Sequence, residues 1–540
     1  MHILKTAITI VTTLIVPCLA QSQSAMLSVT VHEPNDSASV PCRAWVTAAG
    51  QQLYKPLTKS CTPYEKDQSF SCDGYFVMTV PPGEITIHLE RGKEYLPLEK
   101  AVFVKPNQTT HVELTLERWI NMAQRGWYSC DIHCHFGVDN LTILRQSALA
   151  DDINFQPVLT FWNHQKNIWT RGVTRPDTWP QWPLGPAFYA DAEHLITLRN
   201  QEIERIGGQP FESLGALHLL GLADPLEVPP AKSPYPCDAT LGQKAKDTSP
   251  HCVIDTDKPI WAQNVVGVAL GLFDSVQLCH NHYHRNATLS ICCGMVRIDP
   301  GLQGDPDELF HSTNLAYYRF LNCGFKLAAT GGTAMGVMPA PLGYNRTYAK
   351  LAGPLTEANY LQAIRAGRTF ATSGPMLILT VNGLDTGSTI EYSTKKPQPV
   401  AAKAQLHSIQ PVDSLEVIHN GKVVKTISLK DKIPSPILEQ QIDFSLTPQH
   451  SGWLAARAIF TAPDGRLRQA HSSPVYILVD DKPIAFKQDA EYMIDWIDKL
   501  IEVNRRKTGY KSQTQRDEVE AIFRKPKNIY ETIAQSAAEQ

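Results

Sequence analysis

Ten of the chain's eighteen histidines fall in the stretch from His133 to His311, with carboxylates among them. Neutral imidazole is the commonest protein ligand for transition metals, so this part of the sequence is where metal chemistry is expected. The densest string is Gly126-Trp127-Tyr128-Ser129-Cys130-Asp131-Ile132-His133-Cys134-His135. On a strand, residues two apart share a face, which would aim both imidazoles at one point; on a helix they would diverge. Asp131 falls on that face too and is expected to orient a ligand imidazole by hydrogen bonding. Cys130 and Cys134 lack the second cysteine pair of a zinc ribbon and read as buried apolar residues rather than ligands.

The 540 residues amount to three or four domains at roughly 150 residues each. Residues 26–118 alternate in short strand-like runs separated by turn chemistry such as Pro81-Pro82-Gly83, which predicts a small β-sandwich. Residues 119–375 mix helical patterns at 141–151 and 355–365 with apolar strands at 155–161 and 274–278, as an α/β layer or barrel would. Strands return over 376–480, where Asn420-Gly421 marks a hairpin, and predict a second β-sandwich. Residues 481–540 form a charged helical tail with Ile494, Ile497, Leu500 and Ile501 at helical spacing, expected to pack on its own domain.

Lys plus Arg number 50 against 53 for Asp plus Glu, a net charge of −3 that argues against nucleic-acid binding. With 43% hydrophobic and 19% charged residues, wholesale disorder and coiled coil are excluded. Lys5, the apolar run 7–16 and Cys18-Leu19-Ala20 read as a signal peptide over residues 1–20, which implies a secreted or periplasmic protein. Pro17 fits a lipoprotein signal poorly, and no later run has the roughly 20 apolar residues of an integral membrane segment. Setting Cys18 aside leaves eleven of twelve cysteines. Cys42, Cys61 and Cys72 offer one bridge, and Cys237 with Cys252 another. Oligomeric state leaves no signature.

Further along come Tyr317-Tyr318-Arg319-Phe320-Leu321-Asn322-Cys323-Gly324, Gly343-Tyr344-Asn345-Arg346-Thr347-Tyr348 and Ala366-Gly367-Arg368-Thr369-Phe370-Ala371-Thr372-Ser373-Gly374-Pro375. In order and spacing, these and the Gly126–His135 string resemble the secreted branch of the CehA/McbA-type metallohydrolases, within the polymerase and histidinol phosphatase (PHP) superfamily. The resemblance covers about residues 119–480 and implies a multidomain α/β plus all-β chain. Its centre would be a distorted (β/α)7 barrel flanked by β-sandwiches, the N-terminal one carboxypeptidase-regulatory-like or immunoglobulin-like. Residue by residue it implies metal ligands at His133, His135, His164, Glu202, His218 and His282, with Glu202 bridging. It departs from the family at Asn163, where an Asp is usual, at Phe136, and at Thr330-Gly331-Gly332-Thr333-Ala334-Met335-Gly336, where a terminal acidic ligand is usual. Fewer acidic ligands imply one or two divalent ions, zinc by default with manganese or iron as alternatives. Arg346 either stabilises an oxyanion and holds an anionic substrate or pairs structurally with a carboxylate. Trp162, Trp169, Trp179 and Trp182 either line the cleft or pack a barrel rim. His194, His280, His284 and His311 are expected to be ordinary histidines with satisfied rings, and His251 to be exposed.

The leading expectation is an exported metal-dependent hydrolase. Metal-activated hydroxide would attack an ester, carbamate or phosphoester on a small-molecule or glycan-linked substrate. The alternative is a non-catalytic secreted binding protein whose degenerate PHP-like domain recognises a glycan or envelope component, motivated by Ala334 at an expected carboxylate position.

Overall fold

A computed structural model describes residues 24–135, 141–162, 187–206, 211–227 and 233–537. The expected signal segment 1–20 lies outside them, as do Phe136, Asn163, His164, Trp169, Trp179 and Trp182. No helix among the described residues is long and apolar enough to cross a membrane.

Period-two burial builds the N-terminal region. In Tyr75–Val80 the alternate residues Phe76, Met78 and Val80 are buried while Tyr75 and Thr79 face out. That strand pairs antiparallel with Ala25–His32, which pairs in parallel with Thr109–Thr115. A second sheet runs in the order Thr62–Tyr64, Ser69–Cys72, Cys42–Ala48, Gly83–Glu90 and Leu98–Val104, with Gln51–Leu53 on the edge of Cys42–Ala48. Leu27, Val29, Val46, Phe70, Phe76 and Ile87 fill the space between the two sheets, forming a sandwich. Within it Cys42 stands opposite Cys72 in register, sulfurs 3.6 Å apart, while Cys61 reaches the Tyr75 carbonyl. Cys237 and Cys252 are separate buried thiols.

The central sheet runs, neighbour by neighbour, Ala328–Gly331, Ser275–Cys279, Val253–Asp255, Gly215–Leu220, Leu195–Arg205, Phe155–Trp162, Trp127–Cys130, Arg346–Lys350 and Thr369–Thr372. The pairings among its first seven strands are parallel except around Gly215–Leu220, which runs against both neighbours. Gly215–Leu220 and Ser275–Cys279 are buried along their whole length, as befits strands covered on both faces. The first strand of this run comes back against its last two. Thr347 Oγ1 accepts the Gly331 N–H at 2.9 Å, and Thr369 Oγ1 donates to the Ala329 carbonyl at 2.8 Å. The helices Leu141–Ala150 and Glu357–Arg365 fall within two residues of expectation, the second started by Thr356 Oγ1 accepting the Asn359 N–H.

The expected boundary at 375/376 is not a break in the sheet. Thr369–Thr372 pairs with Leu467–Ser472, and pairing continues through Gly452–Thr461, Ser414–His419 and Lys422–Ser428, so one sixteen-stranded sheet spans both regions. The open edge of Thr369–Thr372 needs partners for its backbone, and a strand about a hundred residues later supplies them. A four-stranded sheet of Leu384–Asp385, Met376–Val381, Val400–Ser408 and Leu438–Leu446 packs over this extension. It buries Leu377, Leu379, Leu454 and Ala456 together with Trp127 and Phe370 of the central region. Residues 376–480 therefore form a sandwich that borrows continuity from the central sheet. Asn420 and Gly421, with φ of 52° and 82°, make the expected hairpin turn between paired His419 and Lys422.

The tail folds as two helices, Lys487–Arg506 and Gln513–Ser536, packed on each other and on the central region, as the apolar spacing predicts. Trp496 Nε1 donates to the Ala262 carbonyl and the Tyr530 hydroxyl to the Val265 carbonyl, which fixes the pair on the helix Asn264–Ala269.

Candidate metal centre

Trp127–Cys130 ends just before Asp131, so His133 and His135 sit on the segment leaving the strand rather than on the strand itself. Their rings converge because a backbone cradle holds that segment. Asp131 accepts the N–H groups of His133 at 3.1 Å, Thr333 at 3.0 Å and Gly343 at 2.8 Å, and the Thr333 hydroxyl as well. The Ala334 N–H donates to the His133 carbonyl at 2.6 Å, and the His135 N–H to the Met335 carbonyl at 2.9 Å. A Cβ at Gly332 would lie 2.5 Å from His133 Cβ, so only glycine lets the two segments close. The segment that carries Ala334 in place of an acidic ligand therefore forms the wall behind His133.

Three adjacent strands bring the remaining groups into a row. Register sets Glu202 of Leu195–Arg205 opposite His218 of Gly215–Leu220, and His218 opposite Asp255 of Val253–Asp255, with Asp257 two residues beyond. His133 Nε2 is 3.0 Å from His135 Nε2, Glu202 Oε2 is 2.9 Å from His135 Nε2, and Glu202 Oε1 is 3.9 Å from His133 Nε2. Donors around a tetrahedral zinc at its usual bond lengths are about 3.4 Å apart, so these spacings suit one ion. Glu202 Oε1 also lies 3.3 Å from His218 Nε2, and Asp257 Oδ1 lies 3.6 Å from His133 Nδ1. Two sets of donors lie mutually within 4.8 Å, His133/His135/Glu202 and His133/His218/Asp257.

Electrostatics separates the members. Burial, then the neighbouring His218, pushes the His133 imidazole down to about 4. For His218 burial acts the same way, but hydrogen bonding to Asp255 and Glu202 prevails and raises it to about 10. Burial would raise the Glu202 carboxyl, yet the charge and close approach of His135, with the hydrogen bond to His218, hold it well below the usual range. Asp257 is likewise held low against burial, chiefly by Lys258, whose Nζ stands 2.5 Å from Asp257 Oδ2. Burial and the charge of Glu202 push Glu204 up to about 8.

Among the described residues, five buried atoms in this neighbourhood have no hydrogen-bond partner: Nδ1 of His133, His135 and His282, Oε2 of Glu202 and Oδ1 of Asp257. Although Glu202 Oε2 and His135 Nε2 are close, they are not aligned as a hydrogen bond. Leaving a buried polar group unpaired costs roughly 1–3 kcal/mol, and two of these atoms, Glu202 Oε2 and Asp257 Oδ1, are carboxylate lone pairs within the ligand-distance sets, where a bound cation would take them. The imidazole and carboxylate donors fit a divalent transition metal.

The structure thus gathers His133, His135, Glu202 and His218. It leaves His282 outside both ligand-distance sets, because Ser275–Cys279 ends before it: His282 is buried beside the charges of Lys258 and Asp257 with its N–H on His280 Nδ1. His164 lies outside the described residues. Asp131 is corrected from imidazole orienter to organiser of the cradle, since its acceptors are taken by backbone and Thr333 donors. Burial pushes its carboxyl up to about 6 against those bonds. Arg346, 1% exposed, donates to the carbonyls of Gly343 at 2.7 Å and Asp151 at 3.2 Å, which places two of its nitrogens in structural bonds, while its Nη1 has no hydrogen-bond partner among the described residues. Trp162 packs its ring 4.7 Å from that of His135. His280 and His284 are satisfied by Thr313 and the Asn281 carbonyl, and His251 is exposed, as expected. Sequence reasoning missed Asp255, Asp257 and Lys258. Their signal was a carboxylate pair ending the short apolar strand Val253–Asp255.

No family profile and no curated protein matches the chain. Among solved structures, GBS52, the minor pilin of the Gram-positive pathogen Streptococcus agalactiae, aligns at 10% identity with a TM-score of 0.15, over 18% of this chain and 46% of its own. The chain thus spans under half the length of that protein, and at that score the likeness bears on neither fold nor function.

Proposed function

We propose that the protein is a metal-dependent hydrolase of the PHP superfamily, similar to its CehA/McbA-type branch. The observation that carries this is the convergence of His133, His135, Glu202, His218 and Asp257 with buried, unpartnered lone pairs. The order of the seven central strands and the return of Ala328–Gly331 to Arg346–Lys350 support a distorted (β/α)7 barrel around them. A divalent cation held there, zinc by default, would supply the Lewis acidity that polarises the carbonyl or phosphoryl group of an ester, carbamate or phosphoester.

The chain's own residues hold and insulate that chemistry. His133 and His135 present ring nitrogens from a segment locked by Asp131 and the 332–335 wall. Glu202 faces His135 with one oxygen and His218 with the other, so it can serve two positions. Lys258 neutralises one oxygen of Asp257 and leaves the other toward His133. Asp257 also brings a carboxylate oxygen to within 3.6 Å of His133 Nδ1, which supports the hydrolase reading over the non-catalytic one.

The test is a turnover screen of the protein reconstituted with zinc, manganese or iron(II), using nitrophenyl acetate, a nitrophenyl carbamate, nitrophenyl phosphate and bis(nitrophenyl) phosphate. Expected is hydrolysis of at least one, abolished by chelation and reduced about 100-fold or more in Glu202→Gln, a loss of roughly 2.7 kcal/mol of transition-state stabilisation. Turnover of none, or turnover indifferent to both chelator and Glu202→Gln, would overturn the proposal.

A further inference from the structure

We infer that the crevice between the N-terminal sandwich and the central region is a binding site for a neutral saccharide. Its floor is one face of the sandwich's larger sheet. Register sets Gln52 opposite Thr47 and Thr47 opposite Thr86 in one row, and Trp45 opposite His88 and His88 opposite Glu99 in the next. The facing wall comes from residues 284–287 and from Pro339 and Pro341, and the space between is about 560 Å³. That is the size of an ordinary small-molecule site.

The cations of the crevice are already committed. Arg285 makes a two-pronged pair with Glu90 at 2.6 and 2.7 Å and lies 5.3 Å over the Trp45 ring. Lys66 donates to the carbonyls of Gly336 and Val337, and His88 is 3.0 Å from Glu90. What remains is neutral or acceptor-only. The side chains of Thr47, Thr86, Gln52 and Asn286 make no hydrogen bond among the described residues. Asp67 Oδ2 is buried without a partner, and the exposed Glu99 carboxylate stands 4.0 Å from His88.

This combination selects a ligand class. Free carboxylate oxygens repel phosphate or carboxylate ligands, and the paired cations offer them little. Arg285 and Lys66 beside the crevice disfavour a cation. Hydroxyl groups, by contrast, both donate and accept. They match the threonine hydroxyls and the two amides, while the apolar face of a sugar ring packs on Pro339 and Pro341. One wall leads back along the chain toward the metal centre: Pro339 follows Ala334, whose N–H donates to the His133 carbonyl. The site is nevertheless defined by binding, and stands or falls independently of turnover.

Calorimetric titration of the full chain with cellotetraose, maltotetraose and the tetrasaccharide of N-acetylglucosamine tests it, with inorganic phosphate as the anionic probe. The expected result is binding of at least one tetrasaccharide, unchanged by chelator, and weakened about 10-fold or more in a Gln52→Ala, Asn286→Ala double variant. Both side chains are exposed, so the unfolding midpoint should stay that of the native chain, and a Thr47→Val, Thr86→Val variant should show the same loss. Binding of no tetrasaccharide, binding that survives both variants, or binding of phosphate in its place would overturn the inference.

Discussion

Among the described residues, two clusters place buried histidine beside carboxylate within ligand distance, and their surroundings tell them apart. In the first, Asp152, Glu193 and His194 meet at the junction with the N-terminal sandwich. Asp152 is already paired with Arg91 at 3.1 Å and Arg118 at 3.2 Å, while His194 Nδ1 is 3.1 Å from Asp191. His194 Nε2 lacks a hydrogen-bond partner there, but two guanidinium groups have spent the carboxylate a cation would need. In the second, around His133, the nearby cation Lys258 is bound to one oxygen of Asp257, and the lone pairs of Glu202, Asp257 and the imidazoles stay unclaimed. Proximity of ligand types is therefore a weak sign, and unspent buried lone pairs are the strong one.

The largest effect expected from breaking this comparison is at the first cluster. Arg91→Met should cost about 3–5 kcal/mol in urea unfolding, with or without metal, because it leaves the buried Asp152 carboxylate with Arg118 alone and takes a donor from the Pro41 and Leu149 carbonyls. A loss below about 1 kcal/mol would mean the cluster is not held by its ion pairs. Next comes a pH dependence. Burial, then Asp152, pushes the Glu94 carboxyl up to about 7 despite Arg118, the Met122 N–H and the Tyr348 hydroxyl. A carboxyl raised in the folded state contributes stability that is full below its unfolded value and is lost as pH rises to about 7. Glu94 should therefore contribute a fall in unfolding free energy of at most about 3 kcal/mol between pH 4.5 and 7, and Glu94→Gln should make that limb shallower by this share.

Zinc sharpens the contrast further. At about 100 times its dissociation constant it should stabilise the native chain by about 2.7 kcal/mol. Asp152→Asn should respond equally and His135→Ala not at all, read as a shift in thermal midpoint. The smallest effect is at the wall of the centre. Gly332→Ala should destabilise by roughly 1–3 kcal/mol through its clash with His133, and should lower metal affinity in the same titration. A neutral result would show that the cradle does not set the position of His133.

Much of this was legible from residue order. The His133–His135 pair stood out as a motif, Glu202 and His218 were implied by the family resemblance, and the apolar strands expected at 155–161 and 274–278 lie within one residue of Phe155–Trp162 and Ser275–Cys279. What escaped depended on long-range pairing. Asp257 reaches His133 only because Val253–Asp255 lies beside Gly215–Leu220, and nothing local distinguishes it from a surface acid. Asp131 and Arg346 carried functional residue types, but the 331–343 segment took their hydrogen bonds for structure, a choice made some two hundred residues away from Asp131. The continuity of the sheet across 375/376 was hidden for the same reason, since Thr369–Thr372 finds its edge partner at Leu467–Ser472.

The most direct test of the central claim is metal content by elemental mass spectrometry on three proteins. These are the native chain, a His133→Ala, His135→Ala variant, and an Asp152→Asn, His194→Ala variant, each after reconstitution with zinc or manganese and desalting. One or two ions per chain in the native protein and in the Asp152/His194 variant, and none in the His133/His135 variant, is the predicted result. A native chain that retains no metal, or a His133/His135 variant that retains it in full, would contradict the assignment of this centre.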